Sequence, residues 1–494
     1  MRNMEVDINK TFYALMLTLV LAALSLAQPP DVLWTTTCGG MGDDYGYSIV
    51  STLDGGYLIV GDYDAQYSAA SGDIYLIKIN ANGDTLWTKT RGGNSGDFAL
   101  SGLQLSGGEF VINGYTHSFG AYPRSGYLMK TDSDGNELWM QTYGIYNYNA
   151  CHKAHLADDG GFILAGETSM YGTNNDFLLI RTDMDGNQIW LKTYGGPYVD
   201  GADAAYPAGD GGFLVSGLTN SFGGGGYDLH LLKTDMEGDS VWAYSYGGAA
   251  DDWSATSCQT SDGGLAIAGA TASFGFGGDD IYLVRVNSDG DTLWTRSYGG
   301  AGNEWGLSIK ELPDSGFVIA GQTNSFGNGS NDIYLLRLDA NGDSLWFTTF
   351  GGEGDDWGRS VTVTEDGGYI IAGSTNSFGA GGYDVYVIRT ASDSATSVIS
   401  QCSNGFPKEI ELLVNFSNPF NLTTGISYLL STNSFVSLRV YDTAGRLVAT
   451  LVNGWRQAGS HEVTFDGSDL AAGIYFARLQ AGEYVGVEKL VLLK

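Results

Sequence analysis

Residues 287–300 read Asn287-Ser288-Asp289-Gly290-Asp291-Thr292-Leu293-Trp294-Thr295-Arg296-Ser297-Tyr298-Gly299-Gly300, and close copies of this stretch recur along the chain. Its tryptophan returns as Trp34, Trp87, Trp139, Trp190, Trp242, Trp294 and Trp346, spaced 53, 52, 51, 52, 52 and 52 residues apart. A period this regular marks one supersecondary unit used many times.

Each unit divides into four strand-like pieces. In the sixth copy they are residues 305–312, 317–321, 333–338 and 345–349, separated by Pro313-Asp314-Ser315-Gly316, a longer loop from Asn324 to Asp332, and Asn341-Gly342-Asp343. Short β-branched and aromatic runs bounded by Gly, Asn and Asp are strand signals, and Asn-Gly or Asp-Gly steps supply the positive φ that tight hairpins need. Four antiparallel strands in about 52 residues is the size of a propeller blade. From Tyr45 onward the first three pieces occur seven times, and the last copy, ending at Arg389, has no Trp strand. The chain begins instead with an unattached one, Val32-Leu33-Trp34-Thr35-Thr36. Joining the two closes the ring and removes the edge strands that an open stack would expose. The expected fold is therefore all-β: a seven-bladed β-propeller of four-stranded blades over 31–392, its N-terminal strand completing the last blade.

The pattern from Thr348-Thr349-Phe350-Gly351-Gly352 through Asp366-Gly367-Gly368-Tyr369-Ile370-Ile371-Ala372-Gly373 resembles secreted bacterial seven-bladed propeller repeats of the SBBP type. That resemblance implies architecture and no shared chemistry. Composition agrees with a turn-rich β protein: 74 glycines without a three-residue period, and 13% aromatics. A net charge of -32 disfavours nucleic acid, which is bound through Lys and Arg, and disfavours docking on anionic membranes. No cofactor is expected, with calcium kept as an alternative because the acidic charge suits divalent cations.

The longer loops share one face of the ring, so that face is the expected binding face. On it, inner strands open with an acid and an aromatic: Asp44-Tyr45, Asp97-Phe98, Asp252-Trp253, Glu304-Trp305 and Asp356-Trp357. An acidic and aromatic rim suits sugars, through ring stacking and carboxylate hydrogen bonds, or cations. The alternative is that the aromatics wedge between blades while the acids cap loops. Repeated features hold a scaffold, whereas a site is asymmetric, so the lapses in repetition carry more weight. One is Asn147-Tyr148-Asn149-Ala150-Cys151-His152-Lys153-Ala154-His155 in the third unit. Strict strand alternation sends His152 and His155 to opposite sides, which argues against a shared metal unless a bulge intervenes. Repeated acids that start the third strands, such as Asp228 and Asp332, are expected to accept loop N–H groups. The cations ending those strands (Lys78, Lys130, Arg181, Lys233, Arg285, Arg337, Arg389) are expected to meet the acidic turns. No nucleophile elbow, zinc-protease helix motif or P-loop appears, and no two carboxylates stand out as a glycosidase pair.

The ends of the chain speak of export. Residues 1–27 read as a signal peptide, with Arg2 and Lys10 before an apolar run and Ser25-Leu26-Ala27 at the cleavage point. No other segment is apolar enough to span a bilayer, so the protein is not expected to be an integral membrane protein. Residues 393–408 form a Ser-rich linker, and 409–494 a small β-sandwich with alternation in Val436-Ser437-Leu438-Arg439-Val440-Tyr441. Asn418-Pro419-Phe420-Asn421, Val440-Tyr441-Asp442-Thr443-Ala444-Gly445-Arg446, Leu470-Ala471-Ala472-Gly473-Ile474-Tyr475 and Lys489-Leu490-Val491-Leu492-Leu493-Lys494 resemble the C-terminal sorting domain of type IX secretion cargo. The resemblance implies recognition by that secretion machinery and residence outside a Gram-negative cell, released or on its surface. Cys38, after the closing strand, and Cys402, past the last blade, are candidates for a disulfide pinning the ring. The expected function is non-catalytic binding of a glycan, a protein or a surface. The alternatives are a secreted hydrolase acting on polysaccharide and a structural or adhesive surface protein.

Overall fold

The structure, a computed structural model, describes residues 28–64, 72–170, 174–275, 277–393, 411–414, 423–430, 434–443, 445–456, 459–468, 470–481 and 484–492. Residues 1–27, expected above to be a signal peptide, Cys402 and residues 394–408 of the expected linker lie outside these residues. The chain divides into two compact units at residue 394. Among the described residues no helix is long and apolar enough to cross a membrane.

Up to Asp393 the described chain builds seven four-stranded antiparallel sheets. Their inner strands are Tyr45–Ser51, Asp97–Gln104, Tyr148–Leu156, Asp200–Pro207, Asp252–Gln259, Glu304–Glu311 and Asp356–Val363, which number the blades 1 to 7. Blade 7 takes its outer strand, Val32–Cys38, from the start of the chain, paired antiparallel with Asp384–Ser392. The unattached Trp strand is thus the closing strand of the propeller.

The second and third strands are continuous apolar runs because every blade is covered on both faces by its neighbours. Each blade boundary has its own core cluster; at the closure, Ile49, Ile59 and Ile77 of blade 1 meet Ile370, Val385 and Val387 of blade 7. The outer strands alternate instead. Leu86, Leu138 and Leu293 face solvent, while the adjacent tryptophan lies on the hairpin turn of the next blade. Trp34 covers Gly83 (φ 87°), Trp87 covers Gly135 (φ 76°) and Trp294 covers Gly342 (φ 81°). A Cβ on Gly83 would stand 2.8 Å from the Trp34 ring, so this turn needs glycine for its dihedral and for its neighbour. The repeated motif is therefore a tie between adjacent blades, a half-buried indole contributing about 1–2 kcal/mol.

The third-strand cations meet the turns as expected. Lys78–Asp54 is 3.0 Å, Lys130–Glu109 3.2 Å, Lys233–Asp210 2.7 Å, Arg285–Asp262 2.5 Å and Arg389–Asp366 2.5 Å. Arg181 pairs with Asp159 and Arg337 with Asp314 in the same way.

In the second unit, Thr423–Leu430 sits between Glu411–Val414 and Gly459–Asp466 in one sheet. Ser434–Asp442 and Gly473–Ala481 form the centre of the other, flanked by Leu447–Arg456 and Tyr484–Leu492. Ile426, Tyr428 and Phe465 of the first sheet share a core with Val436, Leu438, Val440 and Leu479 of the second, which makes a sandwich.

Candidate functional site

The acids expected on the rim are all buried: Asp44, Asp97, Asp252, Glu304 and Asp356. Each closes its own loop by accepting the backbone N–H four residues earlier: Gly40 to Asp44 at 2.6 Å, Gly93 to Asp97 at 2.8 Å, Gly248 to Asp252 at 2.6 Å, Gly300 to Glu304 at 2.6 Å, Gly352 to Asp356 at 2.9 Å. Asn149 and Asp200 do the same in blades 3 and 4, from Ile145 at 3.2 Å and Gly196 at 2.7 Å. Hydroxyls from the second-strand side complete the clamps; Thr323 donates to Glu304 at 2.6 Å and Ser377 to Asp356 at 2.7 Å. These carboxylates do not form a solvent-facing rim. A carboxylate there satisfies loop amides that burial would otherwise leave unpaired, at about 1–3 kcal/mol each.

The aromatics behave differently. Tyr45, Phe98, Trp253, Trp305 and Trp357 are half-buried, and several stack across blade boundaries. Trp253 and Trp305 stack with centroids 5.3 Å apart; Trp357 stacks on Tyr383 at 5.1 Å and on Tyr45 at 6.5 Å. They combine wedging between blades with a face left in solvent.

Just inside them every inner strand is broken by a β-bulge at one position. Ladder pairing skips Tyr47, Leu100, His152, Asp203, Ala255, Leu307 and Arg359. An extra residue bends the strand and re-aims its side chain. Here all seven bulged residues, each with the residue after it, line one axial cavity of about 380 Å³. The partner of each residue before the bulge is a glycine, as in Gly46–Gly61, Ser254–Gly269 and Gly306–Gly321. A Cβ on Gly269 or Gly321 would be driven into the carbonyl of Trp253 or Trp305.

The bulge also corrects the reading of blade 3. His152 and His155 do not face opposite sides; both reach the blade 4 inner strand, their Nδ1 atoms 3.0 Å from Ala202 O and 2.9 Å from Ala205 O. Burial first, then the charges of Lys153 and Lys310, lower the His155 pKa to about 3, so it is neutral. Cys151 packs instead into the core between blades 2 and 3, where burial raises its thiol pKa to about 12. Among the described residues no group of three or more His, Cys, Asp or Glu is placed to hold a metal.

Charge in the cavity is unevenly placed. The Arg359 guanidinium lies over Trp357 (5.0 Å to the centroid) and Tyr47 (5.7 Å). Its buried Nε has no hydrogen-bond partner, and neither has Trp357 Nε1. Across the axis, burial and then Lys310 lower the Lys153 ammonium to about 8. Asp203 is raised by burial, opposed by its hydrogen bond from Ser254 and by His152 and Lys153. Among the described residues Cys38 has no disulfide partner, and its Sγ lies 3.8 Å from Thr85 Oγ1; its expected partner, Cys402, lies outside the described residues.

Comparison with known proteins agrees with both units. Residues 416–493 match the secretion system C-terminal sorting domain, and residues 158–188 and 313–343 match the DUF5122 beta-propeller, a domain of unknown function. The chain is 26% identical over 209 residues to the regulatory protein FlaEY of Caulobacter vibrioides, a match covering 38% of this chain and 20% of that protein. Among solved structures it is similar to PorZ, a surface component of the type IX secretion system of Porphyromonas gingivalis, at 10% identity and a TM-score of 0.36, covering 91% of this chain and 70% of PorZ. It is also similar to the Pan2 WD40 domain of Neurospora crassa, at 10% identity and a TM-score of 0.43, covering 71% and 89%. The chain thus carries DUF5122 propeller repeats and a type IX sorting domain, which directs it to the surface of a Gram-negative cell or beyond.

Proposed function

We propose that this exported propeller is a non-catalytic binding protein that takes a glycan at the mouth of its axial cavity. The observation carrying this reading is the set of half-exposed rings, Tyr45, Trp253, Trp305 and Trp357, grouped at the starts of inner strands that converge on one cavity. Aromatic faces stack on the C–H faces of sugar rings, and a few convergent polar groups then fix orientation. A hydrolase needs two carboxylates facing the substrate. The acids nearest the mouth are instead committed to closing loops.

A glycan array probed with the full mature chain and with a Trp253→Ala, Trp305→Ala, Trp357→Ala triple variant tests the reading. Binding by the wild type, lost in a triple variant that still melts cooperatively, supports it. Wild-type binding that survives in the triple variant contradicts it, as does turnover of a polysaccharide. A blank array against capture of a purified surface protein would move the ligand to protein.

A further inference from the structure

Comparing the seven copies with one another separates scaffold from site. The loop-closing position reads Asp, Asp, Asn, Asp, Asp, Glu, Asp. The strand position opposite the bulge is glycine in all seven blades, and the third-strand cation is Lys or Arg in all seven. The bulged position reads Tyr47, Leu100, His152, Asp203, Ala255, Leu307, Arg359. Its backbone is repeated seven times while its side chains span apolar, aromatic, acidic and basic types. A position that the scaffold delivers to one cavity without dictating its side chain is free to serve a ligand.

Charge points to the kind of ligand. In a chain of net charge -32, the seven third-strand cations each hold a turn carboxylate. Among the described residues, Lys153, Lys310 and Arg359 form no ion pair within 4.0 Å. Lys153 and Arg359 line the axial cavity, and Lys310 lies two residues along the blade 6 strand from Ser308, which also lines it. Three unpaired cations thus gather at the axis of an acidic protein, opposed there by Asp203, which the Ser254 hydroxyl engages. A buried donor without a partner is desolvated with nothing in return, and the guanidinium fork matches a carboxylate or sulfate. Leu100, Ala255 and Leu307 supply the apolar wall between the polar groups.

We propose, building on the glycan reading above, that the axial cavity receives the acidic group of an anionic saccharide, a carboxylate or a sulfate, between Arg359 of blade 7 and Lys153 of blade 3. The mouth aromatics stack on the sugar and the cavity cations hold its oxyanion. An anion there meets the unsatisfied Arg359 Nε and relieves the mutual repulsion of Lys153 and Lys310.

Isothermal titration of the full mature chain with glucuronate, glucose 6-sulfate, glucose and acetate tests this. Charge-assisted hydrogen bonds discriminate by about tenfold or more, so glucuronate or the sulfate should bind at least about tenfold tighter than glucose. Which of the two acids wins identifies the oxyanion. Arg359→Gln and Lys153→Gln should each remove most of that advantage, with Lys89→Gln on an outer strand as the silent control. Arg359→Lys, which keeps the charge, should restore part of it and guards against a folding artefact. Equal binding of glucuronate and glucose, both lost in the Trp triple variant, would sink the inference and leave the glycan reading standing. No binding by any saccharide would remove both. Acetate binding as tightly as glucuronate would make the cavity a bare anion hole and overturn the saccharide assignment.

Discussion

Arg337 and Asp393 form a fully buried ion pair, Nε to Oδ2 at 3.0 Å, where the chain leaves the last blade. In the earlier blades the hairpin turn lies under the tryptophan of the preceding blade. Blade 7 has no such turn, and Asp393 stands in its place, accepting Trp346 Nε1 at 3.2 Å and the Tyr369 hydroxyl at 3.0 Å. One carboxylate caps the ring at the point where the repeat stops.

Removing Asp393 leaves Arg337 with Asp314 as its partner and takes the acceptor from Trp346 Nε1 and the Tyr369 hydroxyl, so Asp393→Ala should cost about 3–5 kcal/mol in urea unfolding. The turn pair Arg285–Asp262 of blade 5, the counterpart of Arg337–Asp314, has an exposed carboxylate, and Asp262→Ala should cost about 1 kcal/mol or less. Equal losses would contradict the capping role of Asp393.

The closing strand is held from outside by Trp34, whose Nε1 donates to Ala81 O at 3.2 Å over the Gly83 turn. Trp34→Ala should destabilise by about 2 kcal/mol, less than for a fully buried ring. Gly83→Ala, forced to a φ of 87° against that indole, should cost about 1–3 kcal/mol. Thermal unfolding of the two variants and of the double variant checks the coupling; strictly additive losses would separate turn from ring.

Asp228, which starts a third strand beside Asp252 of the next blade, titrates against stability. Burial first, and then the Asp252 charge, raise Asp228 above 3.8, against its hydrogen bond from Gly224. A raised folded pKa gives stability that is present below the unfolded value and lost as pH rises through the folded one. Asp228→Asn, which keeps an acceptor for Gly224, should therefore raise the melting temperature at pH 7, and the gain should shrink toward pH 4. A gain that grows on acidification would reverse the assignment.

Strand glycines opposite the bulges are needed for the cavity's shape. Gly321→Ala would drive a methyl into Trp305 O, so the blade 6 bulge should rearrange. Its measure is slowed or lost glycan binding with circular dichroism unchanged; unchanged binding would show that the bulge does not shape the mouth.

Much of the scaffold was legible because its ties are local and repeated. The Trp period, the displaced Trp34 strand and the pairing of Lys78 or Arg285 with the turn before its strand all follow from spacing. The site was less legible. Asp252 and Trp253 are neighbours in sequence, yet one closes a loop in the interior and the other half-faces solvent, a difference set by a backbone N–H four residues away. Strict alternation misplaced His152 and His155 because one inserted residue reverses every facing beyond it. The signal was present: Gly61, Gly114, Gly166, Gly217, Gly269, Gly321 and Gly373 recur inside strands, where an isolated glycine marks a bulge or a close backbone approach. Among 74 glycines that series does not announce itself.

The proposed recognition site lies on the propeller axis, at the bulged residues and the rings above them. A crystal structure of the mature chain soaked with glucuronate tests it most directly. The sugar is expected against the Trp305 and Trp357 faces with its carboxylate between Arg359 and Lys153. Glucuronate bound only among the outer loops, with the axial cavity holding solvent at saturating ligand, would contradict it.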